Sequence, residues 1–401
     1  MRRGKELRAA TDSQQEAVAA VAIEALLVGL AIAGVSDDEI IGEAEGWGLE
    51  VFSLSFTYLD QQGRGYQSKA GALEGGLGSE ATTIVAPTLY AKIRQSDDVR
   101  HHIYVPVDLV TSASTNALDA ISSASAVTEA ADLDITTEVD VNDDVGVAVK
   151  YGIHWEEPMT SLFLGGGTEL RMAENNSVLR FDLLGIVDMF DTLLPTGADI
   201  GLGVKVTGGA NVSFSQLLSP TTIAWLGYGL TFQKGTLETT YNSVPIEGGG
   251  RTNEMFPETR LRHAWTVRIA QHIPYMRATV RAGYRFYIDD IGIRAHTVDA
   301  KLYQYLGPWL LAEASYRFHN QTAAEFFKTS VPVDFDTEQP RTADSDLAAF
   351  TAHELGGRVL VLFNPKGSAI FKNEHFSLGY SRYWRPNLKI DGFSVTYAGQ
   401  F

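Results

Sequence analysis

"YRFYIDDIGIRAHTVDAKLYQYL", residues 284–306, sets two aromatic-flanked runs of alternating residues around the turn Asp289-Asp290-Ile291-Gly292. Just upstream, Met276, Ala278, Val280, Ala282, Tyr284, Phe286 and Ile288 fall on one side of residues 276–288, opposite Arg277, Thr279, Arg281, Arg285 and Tyr287. Successive side chains of a strand point to opposite faces, so this hairpin has one apolar and one charged face. A soluble barrel would bury the apolar face and a membrane barrel would show it to lipid. Alternation alone does not choose between them.

The same period of two recurs from Gly48 to the end of the chain. It is carried by residues 48–58, 82–94, 100–110, 133–142, 145–155, 160–170, 177–187, 198–208, 211–218, 221–233, 260–273, 276–288, 294–306, 309–319, 347–363, 375–384 and 388–401. Allowing for one split strand, this predicts about 16 strands, in the range of about 14 to 18. Connections after Trp155 and at 219–220, 274–275 and 307–308 are short, whereas 61–81, 113–132, 241–258 and 320–345 are long and polar. Sorting of connections by length is expected of outer-membrane barrels, with short periplasmic turns and long external loops. In the terminal "GFSVTYAGQF", Phe393, Val395, Tyr397, Gly399 and Phe401 share one face. Phe393, Tyr397 and Phe401 look like a C-terminal signal read by the barrel-assembly machinery. The expectation is therefore an all-β, closed antiparallel transmembrane barrel over residues 47–401, in contact with outer-membrane lipid and with both termini periplasmic.

Residues 1–46 read differently. "AVAAVAIEALLVGLAIAGV" (17–35) is the one long apolar block, preceded by "MRRGK" and interrupted by Glu24. It is expected to be an export signal, or else a helix in or beside the pore, or a membrane helix. The chain carries 49 acidic against 32 basic residues, net −17, which repels phosphate backbones and excludes nucleic acid as a partner. With no cysteine, disulfides, thiolate metal sites and cysteine nucleophiles are excluded.

Two groups of charged residues are candidates for function. Arg260, Arg262, Arg268, Arg277, Arg281, Arg285 and Arg317, with Asp299 and Glu313, form a ladder that would line a lumen, either as a selectivity wall in open water or as a plug of satisfied ion pairs. Sixteen strands enclose more space than side chains fill, which favours the wall. Around the opening turn, Asp289, Asp290, Arg294 and His296 could hold a cation such as calcium, but the nearby arginines compete with a metal. Carboxylates paired with arginine at a hairpin tip are the simpler reading, so no metal and no cofactor are expected. For catalysis the candidate bases are His101, His102, His154, His263, His296, His319, His353 and His375. No G-x-S-x-G or H-E-x-x-H occurs, and the chain is read as not being an enzyme.

The opening stretch, with "ETRLRHAWTVRIAQHIP" (258–274) before it and "YRFHNQTAAEFF" (316–327) after it, resembles a bacterial family of outer-membrane barrels of unknown function. The resemblance extends over about residues 50–401, and is carried N-terminally by "DLVTSASTNALDAISSAS" (108–125). Thr115 and Ala126 stand where the family shows proline, and Ile291 where it shows an aromatic residue. Members are encoded near periplasmic flavin-transfer and thioredoxin-like proteins, which implies possible periplasmic partner proteins. Three functions follow as expectations: a conduit for a small polar solute or peptide, a closed scaffold in an envelope redox or export system, and an outer-membrane lipid hydrolase.

Overall fold

The computed structural model describes residues 47–63, 81–112, 128–156, 159–193, 199–238, 243–363 and 372–400. The N-terminal segment 1–46, Thr115, Ala126 and Phe401 lie outside the described residues. The strands are β1 (Gly48–Gly63), β2 (Thr82–Arg94), β3 (Val99–Ser112), β4 (Thr128–Asn142), β5 (Val145–Glu156), β6 (Met159–Met172), β7 (Ser177–Leu193), β8 (Asp199–Ser219) and β9 (Thr222–Gly235). They continue with β10 (Ser243–Pro245), β11 (Arg251–Asn253), β12 (Thr259–Ile273), β13 (Ala278–Asp289), β14 (Arg294–Tyr305), β15 (Leu310–Gln321), β16 (Phe350–Leu362), β17 (Lys372–Arg385) and β18 (Leu388–Gln400).

Sixteen of these close into an antiparallel barrel in which each strand pairs with its neighbours in sequence, β9 adjoins β12, and β1 meets β18. The seam runs from Val51 opposite Gln400 to Gly63 opposite Leu388. A closed sheet leaves no edge, so every strand finds backbone partners on both sides without water.

Two expectations about the strands change. Residues 198–208 and 211–218 are not two strands but the single 21-residue β8. Gly208, Gly209 and Ala210 do not break it, because each is held in register by β7 on one side and β9 on the other. The connections also sort by end rather than strictly by length. Chain termini of the barrel and the turns 95–98, 143–144, 173–176, 220–221, 274–277 and 306–309 share one end, and the strand ends joined through 64–81, 113–127, 236–258 and 322–349 lie at the other. The short links β5–β6, β13–β14 and β17–β18 also fall at the long-loop end. Up-and-down pairing dictates this whatever the length, so the short connection after Trp155 belongs with the long loops.

Residues directly opposite on paired strands share a face. On that basis Tyr58, Phe393 and Tyr380 point one way, as do Val267, Tyr284 and Val298. These residues are exposed, and the same face shows Leu164 at 63%, Leu183 at 68% and Leu202 at 67%. So large a continuous apolar surface belongs in hydrocarbon, and the charged face turns inward. The barrel is a transmembrane barrel of the outer-membrane type.

The apolar core among the described residues lies outside the barrel wall. At the long-loop end, Phe256, Ile291, Ile293, Ala324 and Leu347 pack with Tyr287, Phe326 and Phe327. Isolated bridges Ile246–Val331, Met255–Arg341 and Phe327–Thr342 tie segment 322–349 to segment 236–258 and to itself. These segments form a folded cap, and its contact with Tyr287, on the inward face of β13, tilts it over the lumen rim.

Replacing Leu183 in the middle of the lipid-facing belt by arginine is expected to cost about 2–4 kcal/mol, near the value for a cation at the bilayer midplane. Reversible urea unfolding in phospholipid vesicles measures it, with a lumen-facing Ser213→Arg change as the comparison that costs less.

Candidate functional site

The inward faces of β1–β8 carry one linked chain of ion pairs and several separate pairs. Glu50 accepts from Lys92 at 3.3 Å and Arg100 at 3.4 Å, and Arg100 also reaches Asp140 at 3.0 Å. Arg171 joins Asp140 to Glu169 at 2.5 and 3.0 Å, and Arg180 holds Asp182 at 2.9 Å. Lys150 pairs with Asp134 at 2.6 Å and Lys205 with Asp188 at 3.1 Å. His102 bonds Glu138 at 3.0 Å and Tyr90 at 2.8 Å, while His154 lies 2.6 Å from Asp132. None of these residues except the histidines stood out in the sequence. The signal was nonetheless there, since each alternates with a lipid-facing residue such as Val147, Val149 or Tyr151.

Each of these pairs lies within one strand or joins strands that are neighbours or next neighbours in the wall, and none crosses the lumen. The charges are satisfied within the plane of the wall. A plug would instead tie opposite walls together.

The arginine ladder expected on β12–β16 splits. Arg260, Arg262, Arg268, Arg281, Arg285, Asp299, Glu313 and Arg317 all take inward positions in the register. Arg277 does not: it caps the 274–276 turn in the left-handed region (φ 52°), its guanidinium 5.7 Å from the Tyr305 ring. Pro274 starts that turn and shortens the strand, so the alternation that put Arg277 in line stops at Ala278. The ion pairs here are Arg260–Asp289, Lys301–Glu313 at 3.0 Å and Arg317–Glu354 at 3.7 Å. Arg262, Arg268, Arg281 and Arg285 take part in none of them. Arg268 stacks on Trp225 at 4.9 Å and Arg281 on Tyr303 at 5.1 Å instead. Trp225 can lie flat because Gly227 has no side chain, and a Cβ there would meet the ring at 2.3 Å.

The turn group Asp289, Asp290, Arg294 and His296 is not brought together. Asp289 is buried and faces inward, whereas Arg294 and His296 share the outward face with Ile288 and Phe286. His296 bonds the Tyr284 hydroxyl at 2.7 Å, and His263 and His353 bond Tyr228 and Tyr316 in the same way at 2.8 and 2.9 Å. These three pairs, flanked by Trp265 and Trp384, form an aromatic girdle near the long-loop end. Histidine at these positions extends the girdle, which the sequence reading of a charged turn missed. Asp290 accepts from the Leu261 N–H at 2.9 Å, and Gly292 adopts φ 92°. No group of metal-ligating side chains occurs among the described residues.

Of the histidines considered as bases, His101 bonds Thr137 and Gln95, and His319 bonds Thr297 and Gln321. With His102, His154, His263, His296 and His353 engaged as above, none of these seven is paired with a serine hydroxyl. His375 faces inward opposite Leu362 and Ala398.

Asp289 anchors the cap. Its Oδ2 accepts from Arg260 Nε at 3.1 Å, Arg260 Nη2 at 2.5 Å and the Tyr287 hydroxyl at 2.8 Å, and its Oδ1 accepts from Ile293 N–H at 2.8 Å. On the far side of the cap, Arg385 holds Asp346 at 2.6 Å and Ser345 at 2.9 Å. Asp344 accepts from Asp346 N–H at 2.8 Å, and burial together with the Asp346 carboxylate pushes it up to about 6, against the opposing pull of Arg385 and Arg260.

Residues 190–385 match the model of a protein family of unknown function (DUF3570). Among solved structures, a BenF-like porin from Pseudomonas fluorescens Pf-5 is 8% identical, covering 88% of this chain and 99% of that chain with a TM-score of 0.44. Pseudomonas aeruginosa OpdK with vanillate is 7% identical over 86% and 98% of the two chains, with a TM-score of 0.40. OccK2 from the same organism, solved with glucuronate, is 9% identical over 88% and 98%, with a TM-score of 0.41. No curated protein matches the sequence.

Two outcomes test the cap. Asp289→Ala leaves Arg260 buried without its counter-charge and is expected to destabilise the cap by about 3–5 kcal/mol, read as faster proteolysis within 322–349. Raising pH removes the proton that the folded cap favours on Asp344. Cap protection is thus expected to be greatest near the ordinary carboxylate value of 3.8 and to fall as pH rises to about 6. Asp344→Asn flattens that dependence in pulse proteolysis corrected at each pH against an unstructured peptide.

Proposed function

We propose that this chain, whose residues 190–385 carry the signature of a family without assigned activity, is an outer-membrane channel for a small polar solute. The observation that supports this best is the direction of the ion pairs: they run along the wall between neighbouring strands and leave the axis free. Barrels of about 16 strands enclose a water-filled channel unless something fills it. Cavities of about 290, 510 and 410 Å³ lie along the inward faces of β2–β13, lined mainly by charged and polar side chains.

In this reading the inward ladder of Arg260, Arg262, Arg268, Arg281, Arg285 and Arg317, with Asp299 and Glu313, is the selectivity wall. Arg277 belongs to the turn at the mouth. The long loops and the cap face outside the cell and both termini of the barrel face the periplasm, where partner proteins would meet the short-turn end. Phe393 and Tyr397 on the outward face of β18, with Phe401, serve as the signal to the assembly machinery.

A second reading, a closed scaffold, is favoured by the cap leaning on Tyr287 and Arg385 at the lumen rim. Planar-bilayer recording separates the two. The channel predicts steady, stepwise current that rises in Asp289→Ala, where the cap is loosened. Silence in both proteins, with the barrel shown to be folded by its heat-dependent gel mobility, favours the scaffold.

A further inference from the structure

Arg262 is a half-buried inward cation whose natural counter-charge is already used. Asp289 sits directly opposite it in the β12–β13 register. All the bonds of that carboxylate go elsewhere: two to Arg260, one to the Tyr287 hydroxyl and one to the Ile293 N–H. Arg262 Nε is buried without an acceptor, and no ion pair among the described residues involves its guanidinium. An unpaired cation removed from bulk water is costly to keep, so the position calls for an anion that the described residues do not supply.

The room for such an anion is adjacent. Arg262 and Arg285 line one cavity of about 410 Å³, together with Asn211, Ser213, Thr231 and Tyr287. Its volume suits a small organic molecule. The one carboxylate on its edge, Asp182, is neutralised by Arg180 at 2.9 and 3.1 Å. Two guanidinium groups with amide and hydroxyl donors beside them match the flat, two-oxygen geometry of a carboxylate. The contrast with β3–β7 is sharp, since the arginines of those strands each have a carboxylate partner.

We propose that Arg262 and Arg285 form a lumenal binding site for the oxyanion of a small solute, a carboxylate. The inference deepens the channel reading by naming the class of its solute, and it rests on that reading only for the claim that the solute passes through. Arg262 is the primary contact. Arg285 closes the other side of the anion, and the Arg268–Trp225 stack stands at the neighbouring position along the wall.

The test is calorimetric titration of the detergent-solubilised full chain with succinate and, separately, with inorganic phosphate, in wild type, Arg262→Gln, Arg285→Gln and Lys205→Gln, the last an inward cation away from the cavity. Saturable succinate binding that weakens at least tenfold in Arg262→Gln and in Arg285→Gln, but not in Lys205→Gln, supports the site. Tighter binding of phosphate with the same dependence keeps the oxyanion site and replaces carboxylate by phosphate as its source. No saturable binding of either anion by folded wild type, or equal weakening in all three variants, overturns it. Because Arg262 has no ion-pair partner among the described residues, its replacement is expected to leave heat-dependent gel mobility unchanged. Bilayer recording on the same preparations separates the two claims. Conductance without anion binding sinks the site and spares the channel, and binding without conductance does the reverse.

Discussion

Closure of the sheet between β1 and β18 is the constraint from which the rest follows. In hydrocarbon no water is present to satisfy a backbone N–H or C=O, so a spanning sheet must have no edge. Once the seam from Val51–Gln400 to Gly63–Leu388 is made, every barrel strand is paired on both sides. Each side chain must then choose lipid or lumen. Leucine, valine and tyrosine take the outside, and within the hydrocarbon belt the charges have only the inside to occupy.

Charges confined to the inner wall settle their balance locally. On β1–β8 the ladder register brings acid and base close enough to pair along and across the strands, and the wall neutralises itself without reaching over the axis. On β12–β13 the same register brings five arginines inward with a single well-placed acid, Asp289, which the cap takes for itself. The lumen is thus uneven: one side is self-compensated and the other holds cations in search of partners. That asymmetry is what a conduit needs to prefer one sign of solute over the other.

The cap shows why the one apolar core of the described residues sits at the mouth. Inside the barrel the walls are polar and cannot form a dry core. At the long-loop end, Phe256, Ile291, Ile293 and Leu347 can pack against one another and against Tyr287, and Arg260–Asp289 pins the assembly to the wall. Polar anchors at its rim make its hold sensitive to charge and, through Asp344, to protons. A cap attached in this way couples the state of the mouth to the chemistry of the surrounding water.

The period of two between Gly48 and Gln400 by itself determined that the chain is built of strands, roughly how many, and that Tyr284 and Val280 share a face opposite Arg281, because alternation in a strand is a local property of the backbone; the sorting of connections and the aromatic C-terminal stretch added which face meets lipid. It also marked Asp289 as a turn carboxylate and most of the arginine ladder as inward. Tertiary structure alone decided what each charge touches. Asp289 goes to Arg260, 29 residues away, rather than to Arg285 or Arg294, because cross-strand register and cap contacts set the distance and chain proximity does not. His296 left the turn group for the aromatic girdle by a parity that a tight turn hides, and Arg277 left the ladder because it caps the Pro274–Met276 turn ahead of β13. The unpaired state of Arg262 is likewise invisible in one dimension, since it depends on which neighbour reached the shared carboxylate first.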